Sequence, residues 1–260
     1  MLNLLRKLKS FLLVFREYGS QLIFLFLGSK CKLVISRGLD IRWKLGIASE
    51  IKFWDNYLKV AGAQFFQHRN NPELALQHRP ASLLSNQLNE VQILDVGAGP
   101  LTVLGKKSDG KNIYITAIDP LAHAYDKLLN KFKIQPLVRT ICLSAEDLPY
   151  KYSPCEFDLV YARNSIDHTY NPEMAVRNMI DVVKVGSYVL LEHKLNEADH
   201  QNWKGLHQWN FFTNKANNFL IGSRHKEVKM TEKYADTCNI TCEVLQEGID
   251  QMLIVRIQKK

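Results

Sequence analysis

Two stretches of this chain carry side chains suited to moving a proton. The first, "ARNSIDHTYNP" (162–172), sets Asp167 beside His168. A histidine titrates near neutrality and can take the proton of a hydroxyl, and an adjacent carboxylate can hold its ring in one orientation. The second, "LLEHKLNEADHQNWKGLHQWNF" (190–211), gathers His193, His200 and His207 with Trp203, Trp209, Asn196, Glu197 and Gln208. Aromatic faces beside amides and carboxylates suit a sugar, which offers C–H faces and hydroxyls, and also an unstacked base. His168 is the first choice for general base, with Asp167 as its orienting group and His193 and His207 as reserves. Asn164, Asn196, Glu197, Trp203, His207 and Trp209 are expected to shape the substrate pocket. The competing reading is packing, since buried aromatics usually belong to a core and His168 can cap a helix. Glu192, His193, Asp167 and His168 have no fixed ligand spacing, so no metal is expected.

These side chains need a scaffold, and the sequence supplies one. "QILDVGAGPLTVLG" (92–105) reads as an apolar strand, a glycine turn and the start of a helix at Pro100. Further apolar runs at 112–119, 136–143, 157–162 and 187–193 alternate with helical stretches such as 121–132 and 172–184. Strands alternating with helices predict a doubly wound parallel sheet, with ligands at the carboxyl ends of the strands. Gly97 and Gly99 lie at such an end, and Asp119 ends the next strand, where a carboxylate can hold two ribose hydroxyls. The last two runs, "ITCEVLQE" and "QMLIVRIQK", predict a hairpin turning near Gly248 and Asp250. Residues 39–90 read as helical, with an N-cap at Ser49, an apolar face through Ile51, Phe53, Trp54, Tyr57 and Leu58, and breaks at Pro72 and Pro80.

A dinucleotide and an S-adenosyl ligand would use the same residues up to this point. Three features favour the second. Thr102 stands where a dinucleotide fingerprint has its third glycine. "SAEDLPY" (144–150) places carboxylates after the third strand, where an adenine amino group can donate to them. The C-terminal hairpin is unlike a second dinucleotide half. Together "LDVGAGP", Asp119 and "AEDLP" resemble the motifs of the class I S-adenosylmethionine-dependent methyltransferases, over roughly residues 90–195 by motif and to the end by element order. The resemblance implies a Rossmann-like seven-stranded α/β sheet of order 3-2-1-4-5-7-6, strand 7 antiparallel, with a helical N-terminal extension. It implies S-adenosyl-L-methionine as cofactor and S-adenosyl-L-homocysteine as product. Asp95, Gly97, Ala98 and Gly99 would line the methionine end, Asp119 and Pro120 the ribose, and Ala145, Glu146 and Asp147 the adenine, with Arg163 also in the cofactor set. "NEADHQNWKGLHQWNF" is further similar to a bacterial methyltransferase subgroup associated with polysaccharide biosynthesis, departing from it at Asp199. The place after the fourth strand reads "ARNS", which lacks both the Asn/Asp-Pro-Pro-aromatic run and the nucleophilic cysteine of base methyltransferases.

The resemblance and the pocket residues lead to one expectation: O-methylation of a sugar hydroxyl on a glycan or lipid-linked saccharide. An RNA or small-molecule methyltransferase and a non-catalytic cofactor-binding protein are the rivals. The net charge of +8 favours an anionic partner, but the basic residues are dispersed and no RNA-binding module is visible, so nucleic acid is not expected as a partner. No obligate protein partner is expected either. Five cysteines without a CxxC pair read as reduced thiols of a cytoplasmic protein. Residues 1–48 form an expected helical extension before a catalytic domain at 49–260. Its start, Met1 to Phe15, has helical apolar spacing with a basic side, which suits contact with the inner face of a membrane or packing on the domain. Arg16 and Glu17 interrupt the apolar stretch, which argues against a transmembrane span.

Overall fold

The structure, a computed structural model, describes residues 41–260, so the expected amphipathic start, Met1 to Phe15, lies outside the described residues. The runs expected as strands at 91–96, 112–119, 157–162 and 187–193 form β1 (Glu90–Val96), β2 (Asn112–Ile118), β3 (Phe157–Arg163) and β4 (Val183–Lys194). β1 pairs in parallel with β2 and β3, and β3 with β4. β3 is buried along nearly its whole length, as a central parallel strand covered on both faces must be. The C-terminal hairpin forms as read. β8 (Cys238–Glu247) and β9 (Asp250–Lys259) turn at Gly248, whose φ of 61° favours glycine, and β9 runs antiparallel to β4. The sheet order is β2-β1-β3-β4-β9-β8.

Among the described residues the sheet therefore has six strands and not the seven expected. Residues 136–143 make one bridge, Ile141 to Ile118, through the Ile141 amide to Ala117 O (2.8 Å) and the Asp119 amide to Ile141 O (3.0 Å). Leu137 and Ile141 are 53% and 37% exposed, so among the described residues the apolar pattern there has no layer to bury against. The Thr140 hydroxyl instead donates to Gly99 O, which ties this segment to the glycine turn.

No helix begins at Pro100. Residues 97–111 are irregular, because Gly105 and the Asp109–Gly110 pair break the run. The segment folds back on residues 74–76: the Lys106 and Lys107 amides donate to Leu74 O, and the Leu76 amide to Lys107 O. The cover on this side comes from α1 (Ile41–Arg69), whose Arg69 guanidinium donates to Leu101 O at 2.8 Å. Ser49 accordingly lies inside α1 and does not cap it. α1 is long but polar, and no helix among the described residues is long and apolar enough to cross a membrane.

α3 (Ala122–Lys131) and α4 (Pro172–Val182) follow the expected helices, with α2 (His78–Ser82) earlier in the chain. The Asn171 side chain caps α4 by accepting from the Met174 amide, and Pro172 occupies the first turn. Adjacent residues along the strands face opposite layers. Leu94, Val160 and Leu191 pack with Met179 of α4, while Ile93, Leu159 and Leu190 pack with Leu76 and Leu104 on the other side. Residues 210–229 make a second, three-stranded antiparallel sheet that the sequence reading lacks: β5 (Asn210–Thr213), β6 (Phe219–Gly222) and β7 (Glu227–Lys229). These strands are too short for alternation to register. Phe211 and Phe219 carry this sheet into the core beside α4.

A Cβ added at Gly105 would sit 2.0 Å from the Ala75 carbonyl oxygen, a backbone atom that cannot rotate aside. Gly105→Ala should therefore destabilise the fold by about 1–3 kcal/mol, as overpacking does. A urea midpoint equal to that of the unaltered protein would show that residues 74–76 do not hold this loop.

Candidate active site

One cavity of about 550 Å³ opens at the carboxyl ends of β1, β2 and β3. That volume lies in the range of small-molecule sites. Its first wall is the glycine turn. Gly97 and Gly99 have φ of 71° and 64°, and the Gly97 and Ala98 amides both donate to Ile118 O. A Cβ on Gly97 would meet Ser165 Cβ at 2.3 Å, and one on Gly99 would meet the Trp54 ring at 3.0 Å. Glycine is required here by close approach as well as by φ.

Three buried carboxylates stand around this turn. Asp119 accepts from the Leu121 amide (2.8 Å) and the Gly99 amide (3.2 Å), yet burial pushes its pKa up to about 7. Asp95 accepts from the Thr102 hydroxyl, and burial raises it to about 6 against the pull of that bond, Arg69 and Lys106. Glu146 accepts from the Asn171 amide, and burial raises it to about 7. Lys106 donates to the carbonyls of Arg69 and Leu104, and burial lowers it to about 8. Ala98, Pro120, Ala145 and Glu146 line the cavity, whereas Asp147 accepts from Ser144 and lies outside the lining. The aromatic cover is Phe53, Trp54 and Tyr57 of α1, with the Trp54 indole N–H held by Glu50 at 2.9 Å. The sequence marks these rings as an apolar helix face, but not as a cavity wall.

The far end of the cavity brings together a carboxylate and two imidazoles. The short 3-10 turn Ile166–His168 after β3 presents Asp167 and His168, and the loop before β5 brings in His207. His207 Nδ1 lies 3.0 Å from Asp167 Oδ2 and 3.1 Å from His168 Nε2. Burial alone would raise Asp167, but His168, His193 and His207 outweigh it and hold the carboxyl well below the usual range. Burial lowers His207, and its bond to Asp167 more than restores it, so its pKa is raised. Glu197 and Gln201 of the α5 turn (Glu197–His200) and its end also line this part, joined by the Gln201 amide to Glu197 Oε1 at 2.9 Å.

The other sequence candidates fall as follows. His193 is buried behind Asp167, stacked on Phe211 at 4.5 Å, outside the cavity lining. Arg163 lines the cavity but its guanidinium is bound by Glu192 and Glu247, the pair that also holds Arg79. Glu192 additionally accepts from the Tyr161 hydroxyl, so it does not join Asp167 and His168. Asn164 lines the cavity in the left-handed region (φ 46°) while its side chain accepts from the Lys194 amide. Asn196 (φ 53°) donates its amide to Phe211 O. Trp209 donates to Thr169 O and packs on the core, and Trp203 donates to Asp199 beneath the Arg224 guanidinium. Neither tryptophan nor Asn196 lines the cavity.

A mainly parallel sheet with a glycine turn and buried acids at its strand ends defines a Rossmann-like cofactor-binding protein. The family model described as "Methyltransferase domain" matches residues 94–191, the stretch that carries the turn, Asp119, Glu146 and Asp167. Residues 94–191 of the chain are therefore similar to a methyltransferase domain. No protein of curated function matches the chain in sequence. Among solved structures it is similar to a SAM-dependent methyltransferase from Methanosarcina mazei: 14% identity, 72% of this chain and 99% of that one, TM-score 0.42. It is similar to the N-methyltransferase NodS from Bradyrhizobium japonicum WM9: 12% identity, 75% and 93%, TM-score 0.39. It is also similar to the [4+2]-cyclase SpnF: 12% identity, 84% and 97%, TM-score 0.48. The donor set suits the cofactor: buried carboxyl groups can accept hydrogen bonds from its amino and hydroxyl groups.

Burial raises the Asp119 carboxyl to about 7 from the ordinary 3.8 of an aspartate. A buried acid so raised favours the protonated folded state, so its stabilising contribution is complete below about pH 4 and is lost as pH rises through 7. Thermal melts of the cofactor-free protein from pH 5 to 8 should show a fall in Tm that is shallower in Asp119→Asn. Identical slopes would mean that Asp119 ionises normally.

Proposed function

We propose that this chain is an S-adenosylmethionine-dependent methyltransferase acting on a hydroxyl of a polar, sugar-like acceptor, such as a glycan or lipid-linked saccharide. One observation carries the reading: a single cavity joins the glycine turn and its buried acids to an end built from His168, His207, Asp167, Glu197 and Gln201. That end offers hydrogen-bond donors and acceptors for a polyol and a histidine–carboxylate group for its proton. The rings of α1 give an apolar wall, in the place where the sequence suggested Trp203 and Trp209.

On this reading Asp119 holds the ribose hydroxyls, and Asp95 and Gly97 lie along the methionine end. Ala145 and Glu146 lie along the adenine. When bound, S-adenosylmethionine supplies an electrophilic methyl, which forms a C–O bond to the acceptor as the C–S bond breaks and its electron pair stays on sulfur. Asp167, His168 and His207 orient the hydroxyl and draw off its proton. α1 covers the cavity and excludes water, which strengthens the interactions within it.

The acceptor class is tested with radiolabelled S-adenosylmethionine and a lysate of the source cells, separated into glycan, lipid, RNA, protein and small-molecule fractions. Label in glycan or lipid-linked glycan is expected, and label in RNA alone would overturn the assignment. His168→Ala should lower turnover by roughly 10²–10⁴-fold with cofactor affinity nearly intact. Asp119→Ala should weaken cofactor binding roughly 10–100-fold, the worth of hydrogen bonds to a charged group. Cofactor binding that is indifferent to Asp119→Ala would remove the ribose assignment.

A further inference from the structure

We infer that Asp167, His168 and His207 form a site for a divalent transition-metal ion. Three ligand-type atoms from two separate segments converge there: Asp167 Oδ2, His168 Nε2 and His207 Nδ1. Their separations are 3.0 Å (His207 to Asp167), 3.1 Å (His207 to His168) and 3.4 Å (His168 to Asp167). Metal–ligand bonds of about 2.0–2.1 Å set neighbouring ligands about 2.9–3.4 Å apart in octahedral or tetrahedral geometry, so this triangle is one face of such a site. Hydrogen bonds alone serve it poorly. A proton on His207 Nδ1 would be shared between two acceptors, and a second proton, on His168 Nε2, would point into it. A cation satisfies all three lone pairs at once.

An independent observation lies behind the triangle. Among the described residues, Asp167 Oδ1 and both ring nitrogens of His193 are buried without a hydrogen-bond partner, and Asp167 Oδ1 stands 3.6 Å from His193 Nδ1. A small shift makes that contact a hydrogen bond, so His193 is placed as the positioning residue that holds the ligand carboxylate, as outer partners of metal ligands do. The three ligands face the cavity, which leaves open positions, the arrangement of a catalytic site and not of a closed structural one. Two imidazoles and one carboxylate suit zinc, iron or manganese better than magnesium or calcium.

The role of the ion rests on the hydroxyl acceptor proposed above; its binding does not. Bound water loses a proton easily on such an ion. With His168 and His207 engaged as ligands, the ion replaces them as the base. Bound water releases one proton to solvent, the metal-bound hydroxide takes the acceptor's proton and departs as water, and the acceptor alkoxide stays on the ion. That oxygen then takes the methyl as described above.

The test uses the full chain, stripped with a chelator and titrated with Zn²⁺, Mn²⁺ and Mg²⁺ by calorimetry and equilibrium dialysis. One Zn²⁺ or Mn²⁺ per chain is expected, bound more tightly than Mg²⁺. His168→Ala, His207→Ala and the conservative Asp167→Asn should each weaken binding at least about tenfold. His200→Ala, at the exposed end of α5, should leave it unchanged. Circular dichroism identifies any variant that has not folded, and the folded ones decide. Absence of stoichiometric binding, or equal binding in all folded variants, overturns the site. Turnover that survives chelation but not His168→Ala also overturns it, in favour of a metal-free histidine base. Stoichiometric binding lost in the ligand variants, with label found only outside glycan, keeps the ion and removes the sugar acceptor.

Discussion

The whole site depends on how closely two strand ends approach. β1 and β3 are parallel neighbours, so the turns that leave them run side by side. At Gly97 and Ser165 these turns touch, and the Ser165 hydroxyl donates to Val96 O at 3.0 Å. No side chain other than hydrogen fits between them. That contact fixes the distance from the glycine turn to the Ile166–His168 turn that begins at the next residue. The glycine turn and the turn that carries Asp167 and His168 are thereby joined at one contact. Pre-set geometry of this kind is where much of the advantage of a displacement reaction arises.

Electrostatics divides the cavity into two unlike ends. At the glycine turn, burial pushes Asp95, Asp119 and Glu146 toward their neutral forms. At the other end Asp167, equally buried, is held ionised by three histidines. Four carboxylates of similar exposure thus serve different ends because their neighbours differ. The Arg79–Glu192–Arg163–Glu247 group beside the cavity is closed on itself, which explains why Arg163 lines the wall with its charge already engaged.

Much of this was legible in the sequence where the signal is local. The glycine turn, Asp119 at a strand end and the final hairpin each rest on residues a few positions apart, and spacing reports such features directly. Residues 136–143 misled because apolar alternation shows what a segment could bury, and not whether a layer exists to bury it against. The helix at Pro100 failed for a local reason that was also visible, the breakers at Gly105 and Gly110. His207 was recognised as a candidate, but its meeting with His168 and Asp167 is a tertiary event 39 and 40 residues away along the chain. Trp203 and Trp209 show the reverse: composition brought them forward, and their indole N–H groups found Asp199 and Thr169 instead of the cavity.

The irregular path of residues 97–111 bears on ligand choice. A helix starting at the glycine turn would aim its amino-terminal macrodipole, and its unpaired amides, into the cavity, and such a terminus attracts phosphate. Here that partial positive charge is missing, and the Gly97 and Ala98 amides are already spent on Ile118 O. Asp95, with a pKa of about 6, is mostly ionised at neutral pH and adds negative character in its place, and Asp119, at about 7, adds to it in part. A pyrophosphate would meet carboxylates with no compensating dipole, whereas a sulfonium would be welcomed. The fold thus sorts cations from anions by omitting one turn of helix, before any side chain reads the shape of the ligand.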